Sequence, residues 1–578
     1  MTSSTSGPGE PVGDFTGVRH CGSGRVRVVT DGQVRLAVLG DCGAGEHELA
    51  GMLAAVAAGR WEAVARWPGS YWVLAENRRH RFVCGDLAGV RALFYTQHPV
   101  RGAVWATQPR LLQQQRLAAD VPFLLARLVA GEQHWPQRTV YADVRQVPGG
   151  YGLLLADGVP PRLVDVTGIE PADGLRRGAG RLGQELTEAV QRRVRAAGGM
   201  VSADLSGGLD SSTAVVLAAA RGPVHAVTYT DGYTSAEDAS YAARVAAHTQ
   251  ATHTVACGGE EELPFSRGPQ NVEACEPVFA MANWAMDARY LAPVAGLPRH
   301  LTGHGGDVVL DASAAGWVRL AQTGRRREAH RQVVAFARLR NTAPGPYWQA
   351  VREAARLGRC GALEQAAAVL ERGMPDRDTA ARGWAWCRLG AAASWPTEEG
   401  RGHVAALLRE AAADGRQPEA ADVFDDWAAL RAMGTSARGF APYAQALGIH
   451  PAYPYLDNQV VRAAFAVPAL ARRGRQSYKP LLGAALPQLP DWLTSRRSKG
   501  SFTAQRIAGL ARHREQLDEL MAVGPLAGSG LVDTAAVRAA LTRAARGESA
   551  AGIAELHQYI VTSWWLSGRP ARQEVAAC

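Results

Sequence analysis

Short apolar runs alternate with turns along the first quarter of the chain. Seven of them have the period of strands: RVRVVT, VRLAVLG, SYWVLAE, HRFVCGD, ALFYTQ, AVWATQ and GYGLLLA. Two longer apolar stretches, HELAGMLAAVAAG and VPFLLARLVAG, have the character of helices. The pattern predicts a layered, strand-rich domain over residues 14–157. Residues 1–13, rich in Ser, Gly and Pro, are predicted to be a disordered tail, and residues 158–174 a linker.

After the linker the pattern changes to alternating helices and strands. The segment RLGQELTEAVQRRVRA carries an apolar stripe, and we expect Arg192 and Arg193 to point outward from it. The stripe consists of Leu182, Leu186, Val190 and Val194. Four candidate strands follow: MVSADL, VHAVTY, THTVAC and RHLTG. One helix between them begins at Ser235, with Asp238 placed for a capping box. Residues 175–578 are therefore predicted to form a doubly wound parallel sheet with a helical, Arg- and Trp-rich insertion over 308–450.

The stretch VSADLSGGLDSSTAV, residues 201–215, follows the first of these strands. A strand ending at Leu205, two glycines and a helix starting near Ser211 would direct several N–H groups at one point. Such a turn binds an anion, and residues without side chains let a phosphate approach the backbone closely. Asp210 would repel a phosphate unless a cation lay between them, so the sequence predicts Mg²⁺ here.

Composition narrows the class of protein. The chain has 578 residues, is 47% hydrophobic and 20% charged, and contains no apolar run long enough for a membrane span, so we expect a cytoplasmic globular protein. Its eight cysteines are scattered without a CxxC pair, and we expect reduced, mostly buried thiols. The net charge of +9 indicates an anionic partner. Of 63 basic residues only Lys479 and Lys499 are lysines, which suggests that both positions need a compact ammonium.

The SGGLDSS turn closely resembles the pyrophosphate loop of the N-type ATP pyrophosphatases, specifically the synthetase domain of the asparagine synthetase superfamily. GHGGD at 303–307 resembles the second glycine-rich motif of that family, and YPYLD at 453–457 its PFLD motif. Lys479 and Lys499 lie in similar contexts, YKPLLG and RRSKGSF. The resemblance implies an adenine nucleotide α-hydrolase-like fold and a ligase that converts a carboxylate to an acyl-adenylate and transfers it to an amine.

The N-terminal region resembles the class II (Ntn-type) glutaminase domain of the same family, an αββα layered fold. The similar segments are WPGSYWVL, GDLAGVRALFY, VWATQPRLL and TVYADVRQVPGGYGLLL. Glutaminase chemistry needs Cys at position 2, and this chain has Thr2. A processed start at Cys21 would imitate it, but no RGPD or NGE segment is present. We therefore expect a degenerate domain without glutaminase activity.

The resemblance implies roles for particular residues. Mg²⁺ would be held by Asp210 and Asp307. Lys499 would stabilise charge on the α-phosphate and the tetrahedral intermediate, Lys479 would assist at the phosphates, and His304 is a candidate base. ATP would be bound by Ala203, Leu205, Ser206, Gly207, Gly208, Leu209, Asp210, Ser211, Ser212, Thr228, Tyr229 and Gly303.

Without glutamine hydrolysis the substrate itself would supply the amine. The segments GHGGDVVL and RRSKGSFTAQ resemble those of the lasso-peptide macrolactam synthetases, which join the N-terminal amine of a peptide to an internal Asp or Glu. This resemblance implies a precursor core peptide as substrate, with a leader-binding protein and a leader peptidase as possible partners, and no nucleic acid or membrane. Two alternatives stay open: a small-molecule amide ligase, either β-lactam synthetase-like or ammonia-using and asparagine synthetase-like, and a catalytically inactive scaffold. The sequence leaves the peptide, its ring size and the oligomeric state undetermined.

Overall fold

The structure is a computed structural model of the 578-residue chain. It describes residues 1, 9–20, 26–98, 102–112, 117–172, 174–266, 268–269, 272–373, 383–414, 420–473, 479–496 and 500–568. Thr2, Cys21 and Lys499, which the sequence singles out, lie outside these residues. Within the described residues, no helix combines the length and the apolar composition that a bilayer crossing requires.

The N-terminal region is built mainly from antiparallel strands, as the alternating pattern predicts. The strands are β1 (Glu10–Pro11), β2 (Arg19–His20), β3 (Val26–Asp31), β4 (Val34–Cys42), β5 (Gly69–Glu76), β6 (Arg81–Cys84), β7 (Leu93–His98), β8 (Gly102–Ala106), β9 (Arg145–Val147), β10 (Tyr151–Ala156) and β11 (Val159–Asp165). The helices are α1 (Glu46–Gly51), α2 (Leu53–Ala57) and α3 (Val121–Ala130). All seven predicted strands and both predicted helical segments are present, the first segment divided between α1 and α2.

Two sheets face each other in this region. The six-stranded sheet has the order β11-β10-β6-β5-β4-β3, and a three-stranded sheet has the order β8-β7-β9. Because successive side chains of a strand point to opposite faces, Ala37 and Leu39 pack with Trp105 between the sheets. Leu36 and Val38 point to the other face, where they pack against the second half of the molecule.

Two predictions for the ends of this region differ from the structure. The predicted linker contains β11, which pairs antiparallel with β10. Pro160 and Pro161 suggested a linker, but an edge strand tolerates proline because one side of it makes no ladder hydrogen bonds. In the predicted tail, residues 2–8 lie outside the described residues, whereas β1 pairs with β2 and Met1 is buried beside the second sheet.

The second half contains the predicted parallel sheet. Its strands are β12 (Val201–Asp204), β13 (Val224–Thr230), β14 (Thr252–Cys257), β15 (His300–Leu301) and β16 (Pro451–Ala452), in the order β14-β13-β12-β15-β16 and all parallel. The helices around it begin with α4 (Leu175–Ala197), α5 (Leu209–Ala219), α6 (Ala236–Thr249) and α7 (Ala280–Leu291). The four predicted strands are confirmed, and the two-residue β16 was not predicted.

Helix α4 buries its predicted apolar stripe against this sheet and the first one. The prediction that Arg192 and Arg193 point outward is wrong. Arg193 is buried, lies 3.0 Å from the Asp457 carboxylate and 3.1 Å from that of Asp41, and Arg192 also pairs with Asp457. Their acidic partners come from distant parts of the sequence, so the pattern within the helix does not reveal them.

Helices make up the remainder. They are α8 (Gly306–Val309), α9 (Ala315–Gln322), α10 (Arg326–Leu339), α11 (Pro344–Glu371), α12 (Glu398–Ala413), α13 (Ala421–Ala446), α14 (Asn458–Ala466), α15 (Ala469–Arg472), α16 (Pro480–Ala485), α17 (Asp491–Thr494), α18 (Thr503–Arg512), α19 (Arg514–Val523), α20 (Thr534–Ala545) and α21 (Ile553–Ser567). In the region of the predicted insertion, α9 to α11 surround a core that includes Trp317 and Trp386.

One hydrophobic core joins the two halves of the chain. It contains Leu36 and Phe82 of the first sheet, Leu186 of α4, and Val201 and Ala203 of the parallel sheet. The six cysteines that the structure describes are free thiols. The prediction that most are buried is wrong for this set, because only Cys84 is fully buried, while Cys257 and Cys360 are exposed.

Candidate active site

The glycine loop connects β12 to α5 at the carboxyl end of the parallel sheet. Helix α5 begins at Leu209 with Gly208 as its N-cap, two residues before the predicted start. Gly207 has φ of +77°, and a Cβ there would overlap the backbone oxygen of Asp238 on α6. Only glycine combines this backbone conformation with so close an approach. The loop is therefore held tightly against α6, with the first turn of α5 facing the sheet edge.

Hydroxyl groups fix the shape of this loop. The Ser206 and Ser211 hydroxyls are 3.0 Å apart, and the backbone N–H of Gly208 donates to Ser206 Oγ at 3.3 Å. Ser211 Oγ also accepts from the backbone N–H of Ser206 at 3.2 Å. Ser212 is fully buried within α5, and its hydroxyl has no partner among the described residues. Ser206 and Ser211 thus lie on the loop itself, whereas Ser212 faces the interior.

Asp238, expected in a capping box, instead braces the loop. Ser235 is the N-cap residue of α6 but makes no side-chain capping hydrogen bond. The Arg496 guanidinium donates to both the Asp238 carboxylate and the carbonyl of Gly207, and the N–H of Gly500 donates to Asp238 Oδ2 at 3.0 Å. Arg496 and Gly500 flank the segment that contains Lys499. That segment therefore starts and ends beside the glycine loop.

Lys479 stands between the two predicted metal ligands. Its ammonium lies 2.5 Å from the Asp210 carboxylate and 2.7 Å from that of Asp307. Burial opposes the charge, but the two carboxylates outweigh burial and hold the pKa of Lys479 above its usual range. Lys479 has φ of +49°, a left-handed conformation that is uncommon outside glycine and concentrated at functional sites.

The GHGGD motif brings Asp307 to this place. A Cβ on Gly306 would overlap the Asp210 carboxyl, and a Cβ on Gly303 would lie 2.7 Å from the backbone nitrogen of Ser211. These glycines let the loop after β15 pack directly on the glycine loop after β12. Tyr455 of the YPYLD motif supports the same contact from below, since its hydroxyl donates to the carbonyl of Asp210 at 3.0 Å.

The donor set fits an Mg²⁺ ion. Asp210 and Asp307 offer hard carboxylate oxygens, which Mg²⁺ prefers, and both contact the Lys479 ammonium, so an ion bound to the two of them would displace that ammonium. Among the described residues no group of three or more His, Cys, Asp or Glu side chains could hold a metal, so the chain itself provides two ligands. Mg²⁺ ordinarily completes its octahedral shell with phosphate oxygens and water. A bound ion would therefore be an ATP-linked one, neutralising charge on the phosphates.

His304 belongs to the same GHGGD motif as Asp307. Its Nε2 donates to the carbonyl of Met433 at 3.0 Å, so the neutral ring carries its proton on Nε2 and a lone pair on Nδ1. Burial lowers the pKa of His304, although the Met433 carbonyl and the charges of Asp204 and Asp307 oppose the shift. The ring therefore stays neutral near pH 7, the form that a proton acceptor needs.

The residues predicted to face adenine are deeply placed. Ala203 and Leu205 are fully buried. The N–H of Leu205 donates to Val227 at 2.8 Å, and its carbonyl accepts from the Thr228 hydroxyl at 2.5 Å. The Tyr229 hydroxyl is buried near Asp231 and Gln505, and burial together with the Asp231 charge raises its pKa. Leu205 has already used its backbone groups, so its role in binding adenine stays a prediction.

A polar cluster under the loop was not predicted. Asp204 accepts from the Tyr290 hydroxyl at 2.5 Å and lies 2.9 Å from His300 Nε2, and His300 Nδ1 is 2.9 Å from the Ser202 hydroxyl. Asp287, one turn before Tyr290 on α7, has no hydrogen-bond partner among the described residues; burial and the Asp204 charge raise its pKa to about 8. The sequence signal for this cluster is the alternation along β12, in which the polar residues Ser202 and Asp204 alternate with the apolar residues Val201 and Ala203.

Comparison with known proteins bears on the second half of the chain. A family model described as asparagine synthase matches residues 181–567, which is more than half of the chain. The match begins within α4, spans the parallel sheet with its glycine loop, and ends with α21. A search of curated proteins gives no match.

Proposed function

The chain belongs to the asparagine synthase family and is thus an ATP-dependent carbon–nitrogen ligase, and from this premise we propose that it is a macrolactam synthetase of the lasso-peptide type. Its substrate is a leader-free linear peptide. The enzyme joins the N-terminal amine to an internal Asp or Glu side chain, and AMP and pyrophosphate are released. A precursor-derived core peptide, a leader-binding protein and a leader peptidase complete the proposed system.

The observation that carries this proposal is the state of the thiols in the N-terminal region. A nucleophilic cysteine needs a lowered pKa. Burial raises the pKa of the Cys84 thiol to about 12, and burial also raises that of Cys42. These are the cysteines that the structure describes in the two N-terminal sheets, and neither is poised to release ammonia from glutamine. Cys21 lies outside the described residues, so the proposal takes the amine from the substrate on the strength of Thr2 and of the resemblance of GHGGDVVL and RRSKGSFTAQ to the lasso-peptide enzymes.

The first half-reaction places the carboxylate of the peptide against ATP. A carboxylate oxygen attacks the α-phosphorus, the bond between the α-phosphorus and the α,β-bridging oxygen breaks, and pyrophosphate takes that electron pair and leaves toward the loop of Ser206 to Ser211. Mg²⁺, when bound, supplies positive charge to the departing phosphates. Lys479 holds the Asp210 and Asp307 carboxylates in one orientation. Lys499 is assigned to the α-phosphate because its context, RRSKGSF, resembles that of the family's lysine.

The second half-reaction forms the amide. The peptide amine attacks the acyl carbon, the tetrahedral intermediate collapses, and AMP leaves with the electron pair of the broken C–O bond. The nitrogen must lose a proton, and His304 Nδ1 accepts it because Nε2 is already committed to the Met433 carbonyl. The Lys499 ammonium stabilises the oxyanion of the intermediate.

The proposal is tested with purified enzyme, ATP, Mg²⁺ and a synthetic linear core peptide of a precursor encoded near the gene. We expect pyrophosphate release that depends on the peptide and a product lighter than the peptide by one water. Asp307→Asn is expected to abolish both signals with the fold intact by circular dichroism. Glutamine is expected neither to accelerate the reaction nor to yield glutamate. Glutamate release, or turnover triggered by free aspartate or a β-amino acid instead of the peptide, would contradict the proposal.

A further inference from the structure

A second cleft opens beside the helices that follow Asp307. It lies between α9, α10 and the segment after α15, and has a volume of about 280 Å³. We call it the tail cleft and define it by Trp317, Glu328, Arg331, Gln332, Phe336 and Arg473. The volume falls just under the roughly 300–1,000 Å³ of sites that enclose whole small ligands, so it suits one amino-acid residue.

Aromatic rings form the apolar part of the tail cleft. The Trp317 and Phe336 rings meet edge to face with their centroids 5.1 Å apart. The Arg473 guanidinium lies over both rings, 4.6 Å from the Trp317 centroid and 5.2 Å from that of Phe336. A flat guanidinium stacked on rings presents an apolar face and directs its N–H groups outward in the plane. Trp317 is only 2% exposed and the two rings are inclined by 72°, so an apolar side chain would pack on the half-buried Phe336 while a polar group reaches the guanidinium edge.

Gln332 provides a donor without an acceptor. Its Oε1 accepts from Trp317 Nε1 at 3.2 Å, which fixes the orientation of the amide. Its Nε2 is buried and has no hydrogen-bond partner among the described residues. A buried donor left unsatisfied is costly, so natural proteins rarely keep one without a ligand or water.

The charge of the tail cleft is positive. Its lining carries two positive groups, Arg331 and Arg473, against one carboxylate, that of Glu328, which lies 2.6 Å from the Arg325 guanidinium; the charges of Asp311 and Asp425 also act on Arg473. Donors and positive charge beside an apolar floor suit a carboxylate carried by an apolar residue.

The tail cleft is close to the segment that follows Asp307. Arg473 donates to the carbonyl of Ala312 at 2.8 Å, and its neighbour Arg472 donates to that of Asp311 at 2.9 Å. Ala312 is five residues along the chain from Asp307. Five residues span at most about 18 Å, so a peptide of six or more residues extends from the Asp307 side of the site to the tail cleft.

We infer that the tail cleft binds the C-terminal residue of the linear peptide substrate, with the apolar side chain against Phe336 and the free carboxylate at Gln332 Nε2, Arg331 and Arg473. The inference rests on the proposed function and names the part of the substrate that lies farthest from the new bond. It makes the free C-terminus a specificity determinant.

The test compares the synthetic core peptide as a C-terminal acid with the same peptide as a C-terminal amide. We expect KM to be about 10- to 100-fold higher for the amide, the worth of hydrogen bonds to a charged group. Gln332→Glu keeps the acceptor for Trp317 and places a negative charge in the cleft. It is expected to raise KM for the acid by a similar factor, to leave KM for the amide nearly unchanged, and to keep kcat within about twofold.

Matched controls lie on the same helices. Gln322→Glu, at the exposed end of α9, adds the same charge outside the cleft and should leave both KM values unchanged. Arg331 and Arg327 are both exposed on α10, and Arg331→Ala should raise KM for the acid whereas Arg327→Ala should not. If Gln332→Glu fails to fold, this pair of variants tests the inference in its place. Equal KM values for acid and amide in the wild type, or an equal shift of both by Gln332→Glu, overturn the inference.

A cross-linking experiment separates this inference from the proposed function. The probe is the core peptide with 4-benzoylphenylalanine as its last residue, irradiated with the wild-type enzyme without ATP. A cross-link to Phe336 or Arg331 supports the tail cleft whether or not the peptide is cyclised. A cross-link confined to other residues overturns it. If no peptide is cyclised under any condition, the proposed function fails independently of this result.

Discussion

Replacing Lys479 by Met is expected to leave the site with two facing carboxylates and no cation. Lys479 is 3% exposed and Asp210 is 9% exposed, so their contact is a buried ion pair. Removing one partner of such a pair costs about 3–5 kcal/mol, because the remaining charge stays buried. The Asp307 carboxyl is 58% exposed, and its share is below about 1 kcal/mol. We therefore expect a total loss of about 3–5 kcal/mol in the free energy of unfolding.

The same change should create a binding site for Mg²⁺ in the absence of ATP. In the wild type the ammonium competes for the oxygens that would bind the ion, and in Lys479→Met it is gone. At Mg²⁺ ten times above its Kd, binding returns about 1.4 kcal/mol. Unfolding by urea, followed by circular dichroism with MgCl₂ or with EDTA, measures both quantities. Adding Asp307→Asn to the variant should remove the magnesium effect.

Arg538→Met is the matched control. Arg538 donates two hydrogen bonds of 2.8 and 2.7 Å to Asp518, a similar pair on the surface. Its loss should change the free energy of unfolding very little, because the pair is exposed to solvent, and should give no response to Mg²⁺. If Lys479→Met costs no more than Arg538→Met, or if Mg²⁺ stabilises wild type and Lys479→Met equally, Lys479 does not occupy the cation position between the two acids.

Three further predictions concern other parts of the molecule. Asp457→Asn should lower the free energy of unfolding by about 3 kcal/mol in urea titrations, because buried Arg193 keeps Asp41 but loses Asp457; a change below about 1 kcal/mol would contradict the role of this pair. Asp287→Asn should raise Tm at pH 8 and leave it unchanged near pH 4: the raised pKa means that folded Asp287 keeps its proton while the unfolded chain loses it, so the wild type loses stability from about pH 4 to 8, and a constant difference across this range would refute the assignment. Lys499→Arg should slow amide formation by about 10²–10³, measured by the mass of the peptide with pyrophosphate exchange assayed separately, and a rate within about threefold of wild type would remove Lys499 from the mechanism.

The local sequence pattern was sufficient to predict the strands and helices and the position of the glycine loop. The alternation in VRLAVLG and SYWVLAE predicted β4 and β5, because each face of those strands packs on a different layer. Glycine spacing predicted that SGGLDSS would form a turn between β12 and α5, since Gly207 needs both positive φ and room beside Asp238. Both features depend mainly on residues that are close together in the sequence, so they can be predicted from it.

Contacts between distant residues were what the sequence did not reveal. Asp238 is correctly spaced for a capping box with Ser235, yet its carboxylate binds Arg496, which lies 258 positions away. Arg192 belongs to the polar side of α4 by periodicity, but Asp457 pairs with it across 265 positions. A long-range charge pair outweighs a local preference worth a fraction of a kcal/mol, and nothing in one sequence marks which charges will meet.

The core shared by the two halves has a consequence for how this chain can change over time. Leu36 and Phe82 of the N-terminal sheet pack in the same cluster as Leu186 and Val201, and Asp457 accepts a hydrogen bond of 2.9 Å from the backbone of Gly69. Deleting the first sheet would expose that apolar surface and leave a buried carboxylate without one of its donors. The N-terminal region therefore stabilises the fold whether or not it carries out any reaction. Substitutions on its outer surface should be tolerated, whereas polar substitutions on the face directed at α4 should destabilise both halves.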